Sequence, residues 1–160
     1  FKGTIRHNMQ WRDKNATDED IWNALDIAQA KDFVEKKPDK LDEMILQEGK
    51  NLSVGQRQRL TIARALVGDP DMLILDDSAS ALDLATDARL RKAIHEKTSG
   101  MTVFIVSQRI SSIKSADKII VFDDGRIAGI GTHSELYNGC KVYKEICLSQ
   151  LSEKEAQANG

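Results

Sequence analysis

The chain has 160 residues with a formal net charge of −2, a charged fraction of 30% and a hydrophobic fraction of 41%, values typical of one soluble globular domain with a buried core. This balance gives no support for binding to nucleic acid or to an acidic membrane surface. No apolar run reaches the ~18 residues that span a bilayer, no signal peptide is recognisable, and two cysteines indicate reduced, cytosolic thiols rather than a disulfide framework or zinc site.

The first part of the chain predicts two short helices. Residues 1–11 are expected to be extended or irregular. The sequence at 17–20 is a helix-capping pattern, and apolar residues follow it at helical spacing. A second helix is predicted at about 30–36.

A longer helix is predicted to begin at Ser53, because Ser53 with Gln56 three positions later is the pattern of an N-cap and its capping-box partner. Gly55 in the first turn leaves room for a ligand or another backbone to come close. Free N–H groups, a hydroxyl and neighbouring arginines make such a helix start well suited to phosphate. The helix is expected to end near residue 67, before a Gly-Asp-Pro turn.

The second part of the chain predicts strands alternating with helices. An apolar strand at 72–75 ends in Asp76 and Asp77. A strand that delivers carboxylates at its C-terminal end places them at the mouth of a parallel sheet, where Mg²⁺ and phosphates usually bind. Asp83 is predicted to cap a helix at 84–98, which is broken by Ser99-Gly100.

The remaining elements are predicted from apolar runs, turn residues and one more capping box. They are strands at 102–106 and 118–122, a hairpin through 123–126 into 127–131, a helix capped by Thr132 and Glu135, and a terminal helix at 141–151. Residues 152–160 lack apolar anchors and are predicted to be disordered.

Four segments together resemble the motifs of ATP-binding-cassette (ABC) ATPases. Because they occur in the family's order and spacing, the resemblance is far more specific than any one motif. It runs from Thr4-Ile5 to about Leu151 and is strongest for the nucleotide-binding domains of exporter-type transporters. The segments are Leu52–Gln56 (resembling the LSGGQ signature), Met72–Asp77 (Walker B), Ser80–Asp83 (the D-loop) and Ser107-Gln108-Arg109 (the position of the switch histidine).

The resemblance implies an α/β fold, part of a RecA-like P-loop NTPase core, with the ABC helical subdomain at about 12–68 and the RecA-like part at about 69–151. The segment 43–51 resembles the exporter loop that senses the transmembrane coupling helices. No G-x-x-x-x-G-K-S/T loop occurs in the sequence, so the resemblance implies a C-terminal fragment without the P-loop half. We therefore expect this chain alone to be inactive and to bind ATP and Mg²⁺ only weakly.

The resemblance also implies roles at the hydrolytic positions. Asp76 would orient Mg²⁺ through water. Asp77 stands where the family has a glutamate that polarises the attacking water, and aspartate is shorter by ~1.5 Å, an error that can cost about 100-fold in rate. Gln108 replaces the switch histidine, and glutamine cannot carry a proton or a positive charge. Two such departures indicate a degenerate site.

The signature side is better preserved. Ser53 and Gly55 are retained, while Val54 replaces the first signature glycine. In the family's head-to-tail dimer, the signature of one chain completes the site built on the partner's P-loop. Ser53, Gly55, Gln56 and Asp83 are therefore predicted to serve nucleotide binding, and the implied pattern is asymmetric, with a weakened Walker B side and a usable signature.

The predicted function is one half of an ABC exporter at the cytoplasmic face of a membrane. Its predicted partners are a second nucleotide-binding domain in a different chain and the coupling helices of a transmembrane domain, without nucleic acid. A homodimeric exporter with slow hydrolysis is the alternative within this class. A soluble ABC ATPase acting on DNA or ribosomes is a second alternative, which the exporter-like segment 43–51 disfavours, and an interaction module without nucleotide is a third.

Overall fold

The computed structural model describes residues 2–78, 80–98 and 100–158, and side chains up to residue 150. Short helices dominate the first third of the chain, and strands and helices alternate after it. In chain order the elements are β1 (Gly3–Thr4), α1 (Ile5–Met9), α2 (Asp18–Ile27), α3 (Lys31–Glu35), β2 (Met44–Ile45), α4 (Val54–Leu66), β3 (Met72–Asp76), α5 (Leu84–Lys97), β4 (Thr102–Val106), α6 (Ile110–Ile113), β5 (Ile119–Asp123), β6 (Arg126–Gly131), α7 (His133–Gly139) and α8 (Lys141–Ala158).

The contacts divide the chain into two compact units, the first up to Val106 and the second from Ser107 on. Each unit has its own apolar core. The predicted subdomains at 12–68 and 69–151 follow the motifs of a family rather than this packing, and those limits stay a prediction.

The start of the chain is more regular than the sequence analysis predicted. β1 pairs antiparallel with β2, and Thr4 is the N-cap of α1, where its hydroxyl accepts a first-turn amide at 3.0 Å. Ile5 and Met9 lie one helical turn apart and are both buried. The prediction of extended or irregular structure was therefore wrong for residues 5–9, because the packing of these two side chains stabilises a helical turn.

Four predicted helix starts are confirmed. Each cap satisfies first-turn N–H groups that have no partner inside the helix, and a cap of this kind contributes about 1 kcal/mol. Asp83 caps α5 and accepts hydrogen bonds from the amide (2.9 Å) and the hydroxyl (2.7 Å) of Thr86. The other three are capping boxes, formed by Thr17 with Asp20, Ser53 with Gln56 and Thr132 with Glu135.

The Asp83 cap predicts an acid-sensitive fold. Hydrogen bonds from the hydroxyl and the amide of Thr86 lower the pKa of Asp83 from its ordinary value of 3.8. The ionised cap therefore stabilises the fold above that value, and the contribution is lost as the pH falls through the folded-state pKa. We expect the free energy of unfolding, measured in urea, to fall between about pH 5 and pH 2 and to fall less steeply in Asp83→Asn, which keeps an N-cap residue. Equal slopes would contradict this assignment.

The core of the first unit forms where α2 packs against α4, with α5 and β3 adding further apolar residues. Ion pairs join its elements at the surface: Arg6 pairs with Asp18 and Asp42, and Lys97 of α5 pairs with Asp26 of α2. Two of these pairs connect α2 to α1 and to α5, and the third connects α1 to the segment before β2. The largest buried contributors from the helices include Ile21, Leu25, Leu60, Ile62, Leu66 and Leu90.

β3 and β4 form a parallel pair with Met72 opposite Thr102 and Asp76 opposite Val106. This confirms the prediction that the two carboxylates follow a strand of a parallel sheet. One face of the pair is buried and the other is open: Leu73 and Leu75 are buried, whereas Met72, Ile74, Phe104 and Val106 are about half exposed or more.

The second unit is an antiparallel hairpin packed with α7 and α8. β5 and β6 pair through a turn in which Asp124 and Gly125 both have positive φ (45° and 73°), as expected for the predicted hairpin. Tyr143 is buried, and its hydroxyl lies 2.9 Å from Nδ1 of His133. Burial raises the pKa of Tyr143 and that of the Cys147 thiol beside it, so both groups are held neutral in this core.

The terminal helix α8 continues to Ala158, beyond its predicted end at Leu151. The additional residues are mostly Glu, Lys, Ala and Gln, which are good helix formers, so a helix can continue here without apolar anchors. The last two residues of the predicted tail, and Ser99 of the predicted helix break, lie outside the described residues. No helix in the described ranges is both long enough and apolar enough to cross a bilayer.

Candidate functional site

The N-terminus of α4 has the geometry of an anion site. Ser53 Oγ accepts the Gln56 amide at 3.2 Å, and Gln56 Oε1 accepts the Ser53 amide at 3.0 Å. The cap leaves the first-turn amides of Val54 and Gly55 without an acceptor inside the helix, and Ser53 and Val54 are exposed. A phosphate at this end would meet N–H donors, a hydroxyl and the positive end of the helix dipole.

Gly55 is not required by the fold of this chain. Its φ is not positive, and a Cβ at this position would meet the Ala81 carbonyl oxygen at 3.4 Å and Leu82 Cδ2 at 3.6 Å, which are ordinary contact distances. Glycine in a helix costs roughly 0.5–1 kcal/mol relative to alanine. Gly55, half-buried in the first turn, is therefore a position where the fold accepts a methyl group packed against residues 81 and 82 of the same chain.

Gly49 contrasts with Gly55, because the fold does require it. Its φ is +66°, and a Cβ there would lie 2.6 Å from Cδ of Arg57. The Arg57 guanidinium passes over this glycine and donates to the carbonyl oxygens of Gly49 (3.4 Å) and Leu52 (3.2 Å). Arg57 therefore fastens the segment 43–51 to α4.

The arginines near the start of α4 point to their own chain. The sequence analysis placed them beside a phosphate, but Arg57 is used as described above. Arg59 donates to the Gln29 carbonyl at 2.6 Å and stacks over the Phe33 ring at 4.9 Å, and burial lowers its pKa. At this helix end, the groups that can bind an anion are therefore the backbone amides and the Ser53 hydroxyl.

A cavity of about 440 Å³ lies beside α4 in the first unit. Its wall is largely apolar, with Met9, Ile45 and Leu60, and it also includes Arg57 and Ser78. The cavity therefore connects α1, the segment 43–51, the helix that carries the signature-like sequence and the turn after β3.

Asp76 and Asp77 are exposed at the C-terminal end of β3. Asp77 has φ 45°, donates its amide to the Val106 carbonyl at 3.0 Å and accepts the Ser80 amide at 3.2 Å. Aspartate and asparagine are the side-chain-bearing residues that adopt this left-handed conformation most readily. The backbone thus gives a local reason for an aspartate at position 77.

The carboxylates fit Mg²⁺ only as part of a shared site. Within 2–78, 80–98 and 100–150, no group of three or more His, Cys, Asp or Glu side chains is placed to hold a metal. Mg²⁺ keeps several waters and is usually bound by one or two carboxylates together with phosphate oxygens. Asp76 and Asp77 fit that mode, and they do not fit a metal site built from protein ligands alone.

The segment after β3 is held against α4 by Gln58. Its side-chain amide donates to Ser80 Oγ at 3.2 Å, and its oxygen accepts the Ala81 amide at 3.1 Å. The D-loop-like segment and the signature-like helix are therefore in contact within one chain. Sequence reasoning missed Gln58, because its partners lie 22 and 23 residues away and nothing local indicates them. Ala79 lies outside the described residues.

The predicted site residues divide between the two units. Six of them lie in the first unit, and Asp83 there uses both carboxylate oxygens to cap α5. Gln108 belongs to the second unit, where its side chain is exposed and its carbonyl accepts Nε2 of Gln150 at 2.6 Å. The ligand roles of these residues stay predictions, and the cap gives Asp83 a structural role as well.

Comparison with known proteins assigns the family. The family model described as ABC transporter matches residues 2–80. The chain is 42% identical over 158 residues to the uncharacterized ABC transporter ATP-binding protein YfiB of Bacillus subtilis (strain 168), covering 99% of this chain and 27% of that protein. It is 39% identical over 151 residues to a multidrug resistance ABC transporter ATP-binding and permease protein of Lactococcus lactis subsp. cremoris, covering 94% of this chain and 26% of that protein.

A solved structure supports the same assignment. The chain matches a bacterial Atm1-family ABC exporter with ATP bound with a TM-score of 0.89 and 32% identity, over 94% of this chain and 26% of that one. The fold is therefore the α/β fold of an ABC ATP-binding domain, in part, with its helical subdomain. The chain belongs to the ABC transporter family, which confirms the resemblance seen in the sequence. It spans about a quarter of the length of the relatives it matches.

Proposed function

We propose that this chain is part of the ATP-binding domain of an ABC exporter that couples ATP binding and hydrolysis to movement of a substrate across a membrane. The observation that carries the proposal is the exposed N-terminus of α4, where the Ser53 hydroxyl and the first-turn amides of Val54 and Gly55 can meet a phosphate. The names of the multidrug resistance relative and of the Atm1-family exporter support the exporter assignment. The chain would lie at the cytoplasmic face of that membrane.

Each residue has a role in this proposal. Ser53 would present its hydroxyl, and Gly55 its backbone amide, to the γ-phosphate of ATP held on a second ATP-binding domain, while Gln56 would orient Ser53 by closing the cap. Asp76 would hold Mg²⁺ through water, and the metal would supply neutralisation of the phosphate charge. Asp83 fixes the D-loop end by capping α5. Alone, the 160-residue chain lacks most phosphate contacts and neither hydrolyses ATP nor binds it tightly.

The partners follow from the same placement. One is a second ATP-binding domain in a different chain, because in a head-to-tail dimer the signature-like sequence of this chain would complete the site built on the partner's P-loop. The other is the set of coupling helices of a transmembrane domain, which the segment 43–51 would contact. Arg57 links that segment to α4 through the Gly49 and Leu52 carbonyls, so the segment and the signature helix would move together.

We further propose that this chain carries the degenerate site of a heterodimer. Asp77 is an acid with short reach, and its positive φ suits aspartate. Gln108 can donate a hydrogen bond but cannot take up a proton. The site built on this chain would therefore contribute little to turnover, whereas the site on the partner, completed by this chain's Ser53 and Gly55, would carry it.

The test is ATP turnover of the full-length transporter. Asp77→Ala and Gln108→Ala are expected to change turnover by less than about twofold, while replacing the glutamate at the partner's corresponding position should lower it by about 100-fold or more. Ser53→Ala should also lower turnover. Restoring both positions, Asp77→Glu with Gln108→His, should raise hydrolysis more than either change alone.

A homodimeric exporter with slow hydrolysis is the competing outcome. If Asp77→Ala stops turnover as completely as the loss of the partner's glutamate, this chain hydrolyses ATP itself and the degenerate-site proposal is wrong. Glu145→Gln on the exposed face of α8 is the control, since Glu145 pairs only weakly with Lys141 at 3.7 Å in solvent.

A further inference from the structure

The segment that carries Gln108 is held by one side chain from the other end of the second unit. Nε2 of Gln150, on α8, donates to the Gln108 carbonyl at 2.6 Å, and Oε1 of the same amide accepts the Ile110 amide at 3.0 Å. Gln150 is half-buried. One donor and one acceptor of a single planar amide thus fix two backbone groups that are two residues apart.

This contact takes the place of a helix cap. Ile110 opens α6, which has only four residues, and its amide is a first-turn donor that no carbonyl of the helix can reach. Arginine, the residue at the N-cap position 109, is not a favoured capping residue. Gln150 supplies the acceptor instead, and the Ser107 hydroxyl accepts the Arg109 amide at 3.0 Å.

Helix α8, which carries Gln150, is held in place by the core of the second unit. Tyr143 and Cys147, both on α8, are buried in the core of the unit, and Ile110 and Ile113 of α6 pack against the same core. The position of Gln150 is therefore set by packed residues one and two turns before it. A side chain held in this way can hold a backbone segment in one orientation.

We propose that Gln150 is a positioning residue for the Gln108 segment. By holding the backbone on both sides of position 109, it sets the direction in which the side chain at position 108 leaves the chain. The contact is to backbone atoms, so it acts in the same way whether glutamine or histidine occupies position 108. The functional half of the proposal rests on the proposed function, since it requires position 108 to act on nucleotide.

Amide hydrogen exchange tests the contact without any ATPase activity. Gln150→Met, similar in length, should speed exchange of the Ile110 amide by about fivefold or more, the size expected for loss of one hydrogen bond. The Lys114 amide, which donates to the Ile110 carbonyl within α6, is the internal reference and should not change. Gln150→Glu keeps the acceptor, so Ile110 should stay protected, and Glu145→Gln on the same helix should change neither amide.

Kinetics test the positioning role. In the full-length transporter carrying Asp77→Glu and Gln108→His, with the partner's own site silenced by replacing its glutamate, Gln150→Met should lower kcat by about tenfold or more with KM for ATP unchanged. Gln150→Glu should lower kcat as well, because it loses the donor to position 108. Unchanged Ile110 exchange in Gln150→Met overturns the contact, and changed exchange with unchanged kcat overturns the positioning role. A transporter without ATPase activity in every variant refutes the proposed function and the positioning role, while exchange still decides the contact.

Discussion

Replacing Asp87 by alanine is expected to lower the free energy of unfolding of this chain by about 3–5 kcal/mol. Asp87 lies on α5 and is only 1% exposed. Its carboxylate meets the Arg91 guanidinium one turn later, with Nη2 at 2.9 Å from Oδ2 and Nε at 3.3 Å from Oδ1. Without the carboxylate, a largely buried guanidinium loses the charge that compensates its removal from water.

Urea unfolding of three variants measures this effect against a matched pair on the same helix. Lys92 and Glu96 are also spaced i,i+4, but they are 3.8 Å apart and mostly exposed, so Glu96→Ala should cost less than about 1 kcal/mol. Replacing both buried partners by apolar residues, Asp87→Leu with Arg91→Met, should recover most of the loss. A cost for Asp87→Ala no larger than that for Glu96→Ala would show that the ion pair does not stabilise the fold.

Features with short-range causes were predictable from the sequence. The caps at Ser53, Asp83 and Thr132 depend on partners three residues away, and the sequence placed all of them correctly. The parallel strand before Asp76 followed from a run of apolar residues between turn residues. These features depend on local backbone geometry, which the order of residues determines directly.

Features with long-range causes were not predictable. Gln58 and Gln150 each use a side-chain amide to hold a segment 22 or more residues away, and a glutamine on a helix gives no sign of such a partner. The arginines after the signature-like sequence could face a phosphate or their own chain, and only the packing of Phe33 and Gln29 decides for Arg59. Helix α1 depends on burial of two residues against a core that sequence spacing does not reveal.

The two glycines that flank Ser53 show the same limit at the candidate site. In the sequence, Gly49 and Gly55 are equally suited to a turn or a close approach. In the structure, Gly49 has positive φ and a neighbouring side chain in the space of a Cβ, whereas Gly55 has neither. Only the structure separates Gly49, which the fold requires, from Gly55, where the fold accepts an added methyl group.

This difference leads to a prediction in which one substitution raises the stability of the chain but lowers its activity in the transporter. Gly55→Ala should raise the free energy of unfolding of this chain by about 0.5–1 kcal/mol, because alanine loses less entropy in a helix and its Cβ meets only ordinary contacts. In the full-length transporter the same change should lower ATP turnover by on the order of 100-fold, because it adds a methyl group to the first turn of α4, whose amides are the proposed phosphate donors. Urea unfolding and steady-state turnover measure the two effects separately.

Two other glycines provide the controls for Gly55→Ala. Gly139→Ala, in α7, has no atom within 4 Å of the added Cβ and no positive φ, so it should also stabilise the fold but leave turnover unchanged. Gly49→Ala should destabilise the chain, since the Cβ would lie 2.6 Å from Arg57 and the φ is +66°. If Gly55→Ala stabilises the chain and turnover stays at the level of Gly139→Ala, no ligand approaches the start of α4, and the signature role proposed for it is wrong. If Gly55→Ala instead destabilises the chain as Gly49→Ala does, the glycine is structural, and a loss of turnover would carry no information about phosphate.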